Sequence, residues 1–259
     1  MILTNEKLLL LCTIAFFSLA CKPNTFKRFL VTYPVLSGIV YSDEPIELET
    51  VFPRGRESID AVPSENELKK HANVECYYTL DLPNERKISE ALRKINPALR
   101  VAVVTNGCDC IKGNPYLWLS DDNMYLMGDT VFRDLCKTKG IRRICAQPSV
   151  GQGHFKGRNI HVGITHESVE YLCRYYGVDF VRLGAYSGQE LANQKDRAIR
   201  NKIVGVFARQ GEVSPDVRRL AETLGIRVVE LDPFSHHCSI YFLTNFLECV
   251  QRTGLGGSR

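Results

Sequence analysis

The sequence lacks the features that identify several common classes of protein. Its 33 Lys and Arg residues exceed its 29 Asp and Glu residues by only four, and the basic residues are scattered along the chain. Nucleic-acid-binding proteins gather positive charge on one face, so we do not expect nucleic acid as a partner. The HExxH, GxSxG and paired CxxC motifs are also missing, so no motif supports a zinc protease, a serine hydrolase or a zinc-ribbon domain.

Long apolar stretches are scarce as well, and the clearest lies at the amino end. Residues 8–20 are apolar almost throughout and follow Lys7, which is typical of an export signal and too short to span a bilayer. Residues 18–21, Ser-Leu-Ala-Cys, resemble a bacterial lipobox, although the usual leucine is replaced by Ser18. We therefore predict a signal peptide at residues 1–20 and a lipid on Cys21, with ordinary cleavage without a lipid as the alternative.

The composition is that of a globular protein. The chain has 259 residues, of which 44% are hydrophobic and 24% charged, enough for one or two domains with hydrophobic cores. Ten cysteines are present, and two of them lie in the signal region. The remaining eight form an even set in an exported chain, so disulfides are permitted, although their pairing cannot be deduced.

Strand and helix patterns alternate along the chain. In the first half, strands are predicted at 27–32, 46–52, 74–80, 101–105 and 141–146, and helices at 65–72, 85–95 and 121–139. In the second half, strands are predicted at 159–165, 179–183, 203–208 and 226–231, each followed by a helix. Such repeats predict an α/β fold of two lobes, with mostly parallel sheets flanked by helices and a ligand cleft between the lobes. The loop at 147–157, rich in Gly and polar residues, divides them into residues 21–150 and 151–259.

His166 lies at the most informative position in the second lobe. It follows the predicted strand at 159–165 and precedes a helix that Thr165 could cap, so it marks the carboxyl end of a strand. Open α/β sheets bind their ligands at that edge. A single histidine at a helix start is also commonly a cap or a surface residue, and both interpretations stay open at this point.

Two segments of the second lobe resemble one family. Residues 166–171 and 175–177 are similar to the "His-Asp-Ala-Phe-x-Tyr … Tyr-Gly" segment of the metal-binding solute-binding proteins of ABC importers. Residues 225–233 are similar to the "Gly-x-x-Val-Val-x-Leu-Asp-Pro" segment of the same family. The resemblance implies that His166 and Asp232 ligate a metal. Asp232 could instead form a turn before Pro233.

The first lobe matches the family less well. Residues 114–119 resemble "Asp-Pro-His-x-Trp-Leu", but Tyr116 replaces the ligand histidine, and the other first-lobe histidine of the family falls at Glu57. The resemblance therefore implies metal ligands at His166, Asp232, Glu57 and Tyr116. Three oxygen donors and one nitrogen would shift the preference from zinc toward manganese or iron. Alternatively, Tyr116 only packs and the site is degraded.

Arg209 is a further departure from the family. It occupies a position where relatives can carry a glutamate ligand, and its positive charge would repel a metal ion or pair with Asp232. We note it as evidence against binding of a bare divalent ion.

The resemblance implies a transport function without bond chemistry. The chain would be a monomeric solute-binding protein of the bacterial periplasm or cell envelope, anchored by the lipid on Cys21. It would capture a transition-metal ion, zinc, manganese or iron, or a metal complex, and deliver it to an ABC permease and its ATPase. One alternative is a disulfide-stabilised envelope protein with this fold and a degraded metal site. A less favoured one is a metal-dependent hydrolase, since a histidine with carboxylates could activate water.

Overall fold

The computed structural model describes residues 27–40, 46–139, 153–184 and 189–253, which form two α/β lobes. The predicted signal peptide at 1–20, Cys21, the predicted strand at 141–146 and the predicted lobe boundary at 150/151 lie outside these ranges. Within them, no helix is both long enough and apolar enough to cross a membrane.

The first lobe contains a four-stranded parallel sheet. Its strands are β1 (Lys27–Val31), β2 (Ile46–Thr50), β3 (Cys76–Thr79) and β4 (Arg100–Val103), in the order β2-β1-β3-β4. Its helices are α1 (Glu65–Leu68), α2 (Pro83–Ile95) and α3 (Asp121–Lys139). Short 3-10 segments lie at Pro34–Ile39, Lys69–His71 and Leu117–Leu119.

The second lobe repeats this arrangement. Its strands are β5 (His161–Ile164), β6 (Asp179–Arg182), β7 (Ile203–Arg209) and β8 (Arg227–Leu231), all parallel, in the order β6-β5-β7-β8. Its helices are α4 (Ser168–Tyr176), α5 (Gln189–Arg200), α6 (Pro215–Leu224) and α7 (Cys238–Arg252). In both sheets the strand order reverses beside the first strand, and such a reversal opens a crevice at the carboxyl edge. In the second lobe that position lies between β5 and β7.

Local signals account for the element boundaries. Ser64 and Glu67 form a capping box at α1, and the Ser214 hydroxyl accepts a hydrogen bond from the Val217 N–H at the start of α6. Gly177 and Gly225 end α4 and α6 in the left-handed conformation, with φ of 70° and 64°. The predicted α/β class, the two lobes and the parallel sheets are confirmed.

Thr165 does not cap α4, because the helix begins only at Ser168 and the Thr165 hydroxyl is buried without a hydrogen-bond partner among the described groups. Six of the described cysteines are free thiols and form no disulfide. They are Cys76, Cys108, Cys110, Cys173, Cys238 and Cys249.

Candidate functional site

His166 lies two residues beyond the end of β5, at the crevice of the second sheet. Its Nδ1 accepts the backbone N–H of Ser168 at 3.1 Å and lies 2.8 Å from the Ser168 hydroxyl. An Nδ1 that accepts from a backbone N–H is unprotonated, so the proton of the neutral ring is on Nε2. Nε2 lies 3.7 Å from Glu212 Oε2 and 3.9 Å from Glu167 Oε1.

This environment decides the protonation state of His166. Burial lowers the pKa of the imidazole, and the carboxylates of Glu167 and Glu212 oppose that shift. The ring is therefore neutral at neutral pH, the form that metals require. Coordination through Nε2 would require the ring proton to move from Nε2 to Nδ1. Nδ1 could then no longer accept the hydrogen bond from the Ser168 N–H.

Tyr116 packs directly against His166. Its side chain is fully buried, and its ring meets the imidazole edge-to-face, with 5.2 Å between centroids. The Tyr116 hydroxyl accepts a hydrogen bond from Arg209 Nη1 at 3.3 Å. Burial raises the pKa of Tyr116 to about 12, although the Arg209 charge opposes the shift. The phenol is consequently protonated at neutral pH and is not a ready anionic ligand.

Arg209 ends β7 and brings a positive charge to the same crevice. It forms an ion pair with Glu212 at 3.0 Å, and its guanidinium lies over the Phe234 ring at 6.0 Å from the centroid. The expected alternative of a pair with Asp232 is not what the structure shows, because the turn after β7 brings Glu212 alongside the guanidinium. Sequence reasoning missed Glu212, which follows Arg209 by three residues.

Asp232 and Glu57 lie in a different part of the lobe interface. Both line a cavity of about 650 Å³, together with Arg54, His236 and His237. Asp232 Oδ1 accepts the N–H of Phe234 at 2.9 Å, so the carboxylate forms the turn that was the alternative interpretation of this residue.

The structure thus places the four predicted ligands in two pairs. Tyr116 contacts His166, and Glu57 shares a cavity with Asp232. Phe234 belongs to both places, since it lines that cavity and packs edge-to-face on Tyr116. Over residues 27–40, 46–139, 153–184 and 189–253, no three or more His, Cys, Asp or Glu side chains are grouped so that they could hold a metal ion.

An aromatic cluster closes the interface around this site. Trp118 stacks on Phe234 at 5.6 Å and contacts Tyr33 at 5.3 Å, and its indole N–H donates to the Pro233 carbonyl at 2.7 Å. Asn114 Nδ2 also donates across the interface, to the Glu167 carbonyl at 2.7 Å. These contacts join residues 114–118 of the first lobe to the loops of the second lobe that carry His166 and Asp232.

Solved structures provide the comparison with known proteins. The fold matches ZnuA with a TM-score of 0.67 and 17% identity, over 87% of this chain and 98% of that one. It matches the solute-binding protein FpvC of P. aeruginosa in complex with Ni²⁺ with a TM-score of 0.64 and 14% identity, over 91% and 99%. For the Zn(II)-bound ZnuA-like domain of Streptococcus pneumoniae AdcA the values are 0.63 and 13%, over 87% and 98%.

Sequence comparison adds no further relative, because no family profile and no curated protein matches the chain. The structural likeness spans both lobes and nearly the whole of each matched chain. The predicted resemblance to metal-binding solute-binding proteins is therefore confirmed at the level of the fold.

Proposed function

We propose that this protein is an exported solute-binding protein that captures a transition metal, zinc, manganese or iron, for an ABC importer. The observation that carries the proposal is the two-lobed fold, shared with proteins whose structures hold Zn(II) and Ni²⁺. The contact between His166 and Tyr116 at the lobe interface supports it. The protein binds and performs no bond chemistry; its partners are a permease and an ATPase.

The charges at the site favour a particular form of the metal. A bare divalent cation near His166 would lie beside the Arg209 guanidinium, whose repulsion is only partly offset by Glu212. A metal complex that carries its own anionic groups would instead be attracted by Arg209. We therefore propose a negatively charged metal complex as the preferred cargo, ahead of the bare ion.

Ligand-induced stabilisation tests this function. A cargo present at a hundred times its dissociation constant stabilises the native state by about 2.7 kcal/mol. Thermal unfolding should be compared with and without Zn²⁺, Mn²⁺ and Fe³⁺, each added as the ion and as its citrate complex. We expect the larger shift from a complex, and His166→Ala and Asp232→Ala should each lose most of it.

The matched control is Glu222→Ala, which removes an exposed carboxylate of α6 outside the site. It should retain the parent's response. If His166→Ala and Asp232→Ala also respond like the parent, the cargo binds elsewhere.

A binding fold without a metal is the second candidate function. It is favoured by the ion pair of Arg209 with Glu212 and by the lack of a three-ligand group among the described residues. Protein purified without chelators distinguishes the two. Absence of metal together with no thermal response to any ion or complex supports this candidate, and metal-dependent hydrolysis of an ester or phosphoester would point to an enzyme.

The location of the protein is part of the proposal. We infer export to the periplasm or cell envelope and, from the lipobox-like residues 18–21, a lipid on Cys21. Cys21→Ala should move the protein from the membrane fraction to the soluble fraction, as measured by fractionation and metabolic labelling with a fatty acid. Membrane association without incorporated fatty acid would contradict the lipid. We expect a monomer, and light scattering measures the oligomeric state.

A further inference from the structure

Another cavity opens at the amino ends of β5 and β6, at the opposite edge of the second sheet from His166. Its volume is about 920 Å³, within the usual range of ligand pockets. The polar residues that line it come from the turn before β5, from the two strands and from the ends of α4 and α5. They are Lys156, His161, Arg174, Asp179, Arg197 and Asn201.

Positive charge dominates this cavity. Lys156 and Arg197 form no ion pair within the part of the chain that the structure describes. Arg174 pairs with Glu170 at 3.1 Å, but Glu170 is shared with Arg182. Asp179 is the one carboxylate among the lining residues. The cavity therefore has a net positive charge that described carboxylates do not neutralise.

Helix ends alone do not explain this grouping. Arg174 and Arg197 lie in the last turns of α4 and α5, where the helix dipole favours cations. Lys156 lies on a turn that precedes β5, with no helix end of its own, and still lines the same cavity. His161 adds a buried Nδ1 with no hydrogen-bond partner among the described groups.

The turn that carries Lys156 is held firmly in place. The Gly153 N–H donates to the Tyr175 carbonyl at 2.7 Å, and the Phe155 N–H donates to the Tyr176 carbonyl at 2.9 Å. Gly177 lets the turn approach the end of α4, since a Cβ there would lie 2.8 Å from the backbone nitrogen of Lys156. The backbone of Lys156 is thus held in place beside the cavity, and its ammonium is carried by a flexible side chain that becomes ordered when an anion binds.

We propose that this cavity binds a phosphate group carried by a larger molecule. An Arg fork with a nearby ammonium is the usual protein arrangement for phosphate oxygens. The volume exceeds what a phosphate alone would fill, and Asp179 and Asn201 can accept hydrogen bonds from hydroxyls attached to it. The source is either a soluble phosphorylated molecule or the headgroup of an anionic phospholipid.

Two probes test the proposal and separate the sources. Both are measured on the chain from residue 22 onward, so that neither the predicted signal peptide nor a covalent lipid on Cys21 contributes. Isothermal titration with glycerol 3-phosphate at constant ionic strength reports a soluble ligand. Co-sedimentation with phosphatidylglycerol vesicles, compared with phosphatidylcholine vesicles, reports a headgroup. We expect the double variant Lys156→Gln/Arg197→Gln to bind the active probe at least tenfold more weakly than the parent.

The control variant Arg200→Gln/Lys202→Gln removes the same charge from exposed positions outside the cavity. It should bind within twofold of the parent. Arg197→Lys keeps the charge but removes the bidentate fork, so an intermediate loss is expected even if the double variant folds poorly. The proposal is overturned if neither probe binds the parent, or if the control and the double variant lose equal affinity.

Discussion

At the scale of single residues, Arg209 determines what the candidate site can accept. Its guanidinium donates to the Tyr116 hydroxyl and pairs with Glu212, so it engages two groups that would otherwise be available to a metal. The neighbouring His166 is neutral and holds its proton on Nε2, facing Glu212 at 3.7 Å. The guanidinium cation and the neutral phenol of Tyr116 therefore disfavour a bare divalent ion, although the neutral imidazole is the form that metals bind.

Arg209→Gln should therefore increase affinity for the bare ion. The substitution removes one positive charge and frees the Glu212 carboxylate next to His166, and a gain of about 1.4 kcal/mol corresponds to tenfold tighter binding. Titration calorimetry with Zn²⁺ measures the change, and binding of an anionic metal complex should weaken in parallel. Arg227→Gln is the control, because Arg227 forms a comparable exposed pair with Glu248. Unchanged Zn²⁺ affinity in Arg209→Gln would show that the guanidinium does not limit metal binding.

The sequence predicts the position of a residue that directly follows a strand. It does not predict the side-chain contacts that depend on the path of a loop. His166 and Asp232 follow β5 and β8 as their sequence positions predict. The sequence does not reveal that Ser168 fixes the His166 ring, or that Glu212 pairs with Arg209, because both contacts depend on the path of short loops.

For the helices and strands, the hydrophobic periodicity of the sequence is sufficient to predict where each element lies. The eight described strands and the helices after them fall where alternation and amphipathic spacing predict them, usually within two or three residues. Gly177 and Gly225 follow the last residues of α4 and α6, and both adopt the left-handed conformation. Their surroundings differ: no heavy atom lies within 4 Å of a Cβ built on Gly225, whereas one built on Gly177 meets the backbone of the turn at 153–157. Only the structure reveals this difference.

Alanine at the two glycines should therefore have unequal costs. Gly225→Ala places a side chain at φ of 64° in open space, which costs about 1 kcal/mol. Gly177→Ala has that cost and also places its Cβ 2.8 Å from the backbone nitrogen of Lys156. This contact forces the turn to move and adds about 1–3 kcal/mol. Urea denaturation of both variants measures the difference. Equal losses would mean that the turn yields freely and does not position Lys156 rigidly.

At the scale of the whole molecule, the two lobes are joined by a buried interface. The Trp118 ring packs against Tyr33 and Phe234, which also contact each other at 5.4 Å, and its indole N–H donates to the Pro233 carbonyl. Tyr171 accepts the Ile111 N–H at 2.8 Å. Trp118 and Pro233, which share one of these hydrogen bonds, are separated by 115 positions in the sequence. No local pattern predicts such pairs, so the sequence suggests a cleft between lobes but not how tightly they are packed together.

This interface should make the lobes unfold together, and Trp118 is suited to report it because it is the only tryptophan in the chain. In urea, its fluorescence should change at the same midpoint as far-ultraviolet circular dichroism, which reports both sheets.

Trp118→Phe removes the hydrogen bond and leaves the Pro233 carbonyl unpaired, so circular dichroism should show a loss of about 1–3 kcal/mol in one transition. Trp118→Ala also empties the ring's position and should cost about 3–5 kcal/mol. Tyr241→Phe, an exposed aromatic position on α7, is the control and should leave the midpoint unchanged. If fluorescence changes at lower urea than circular dichroism, the interface opens before either lobe unfolds, and the lobes are free to separate when cargo enters.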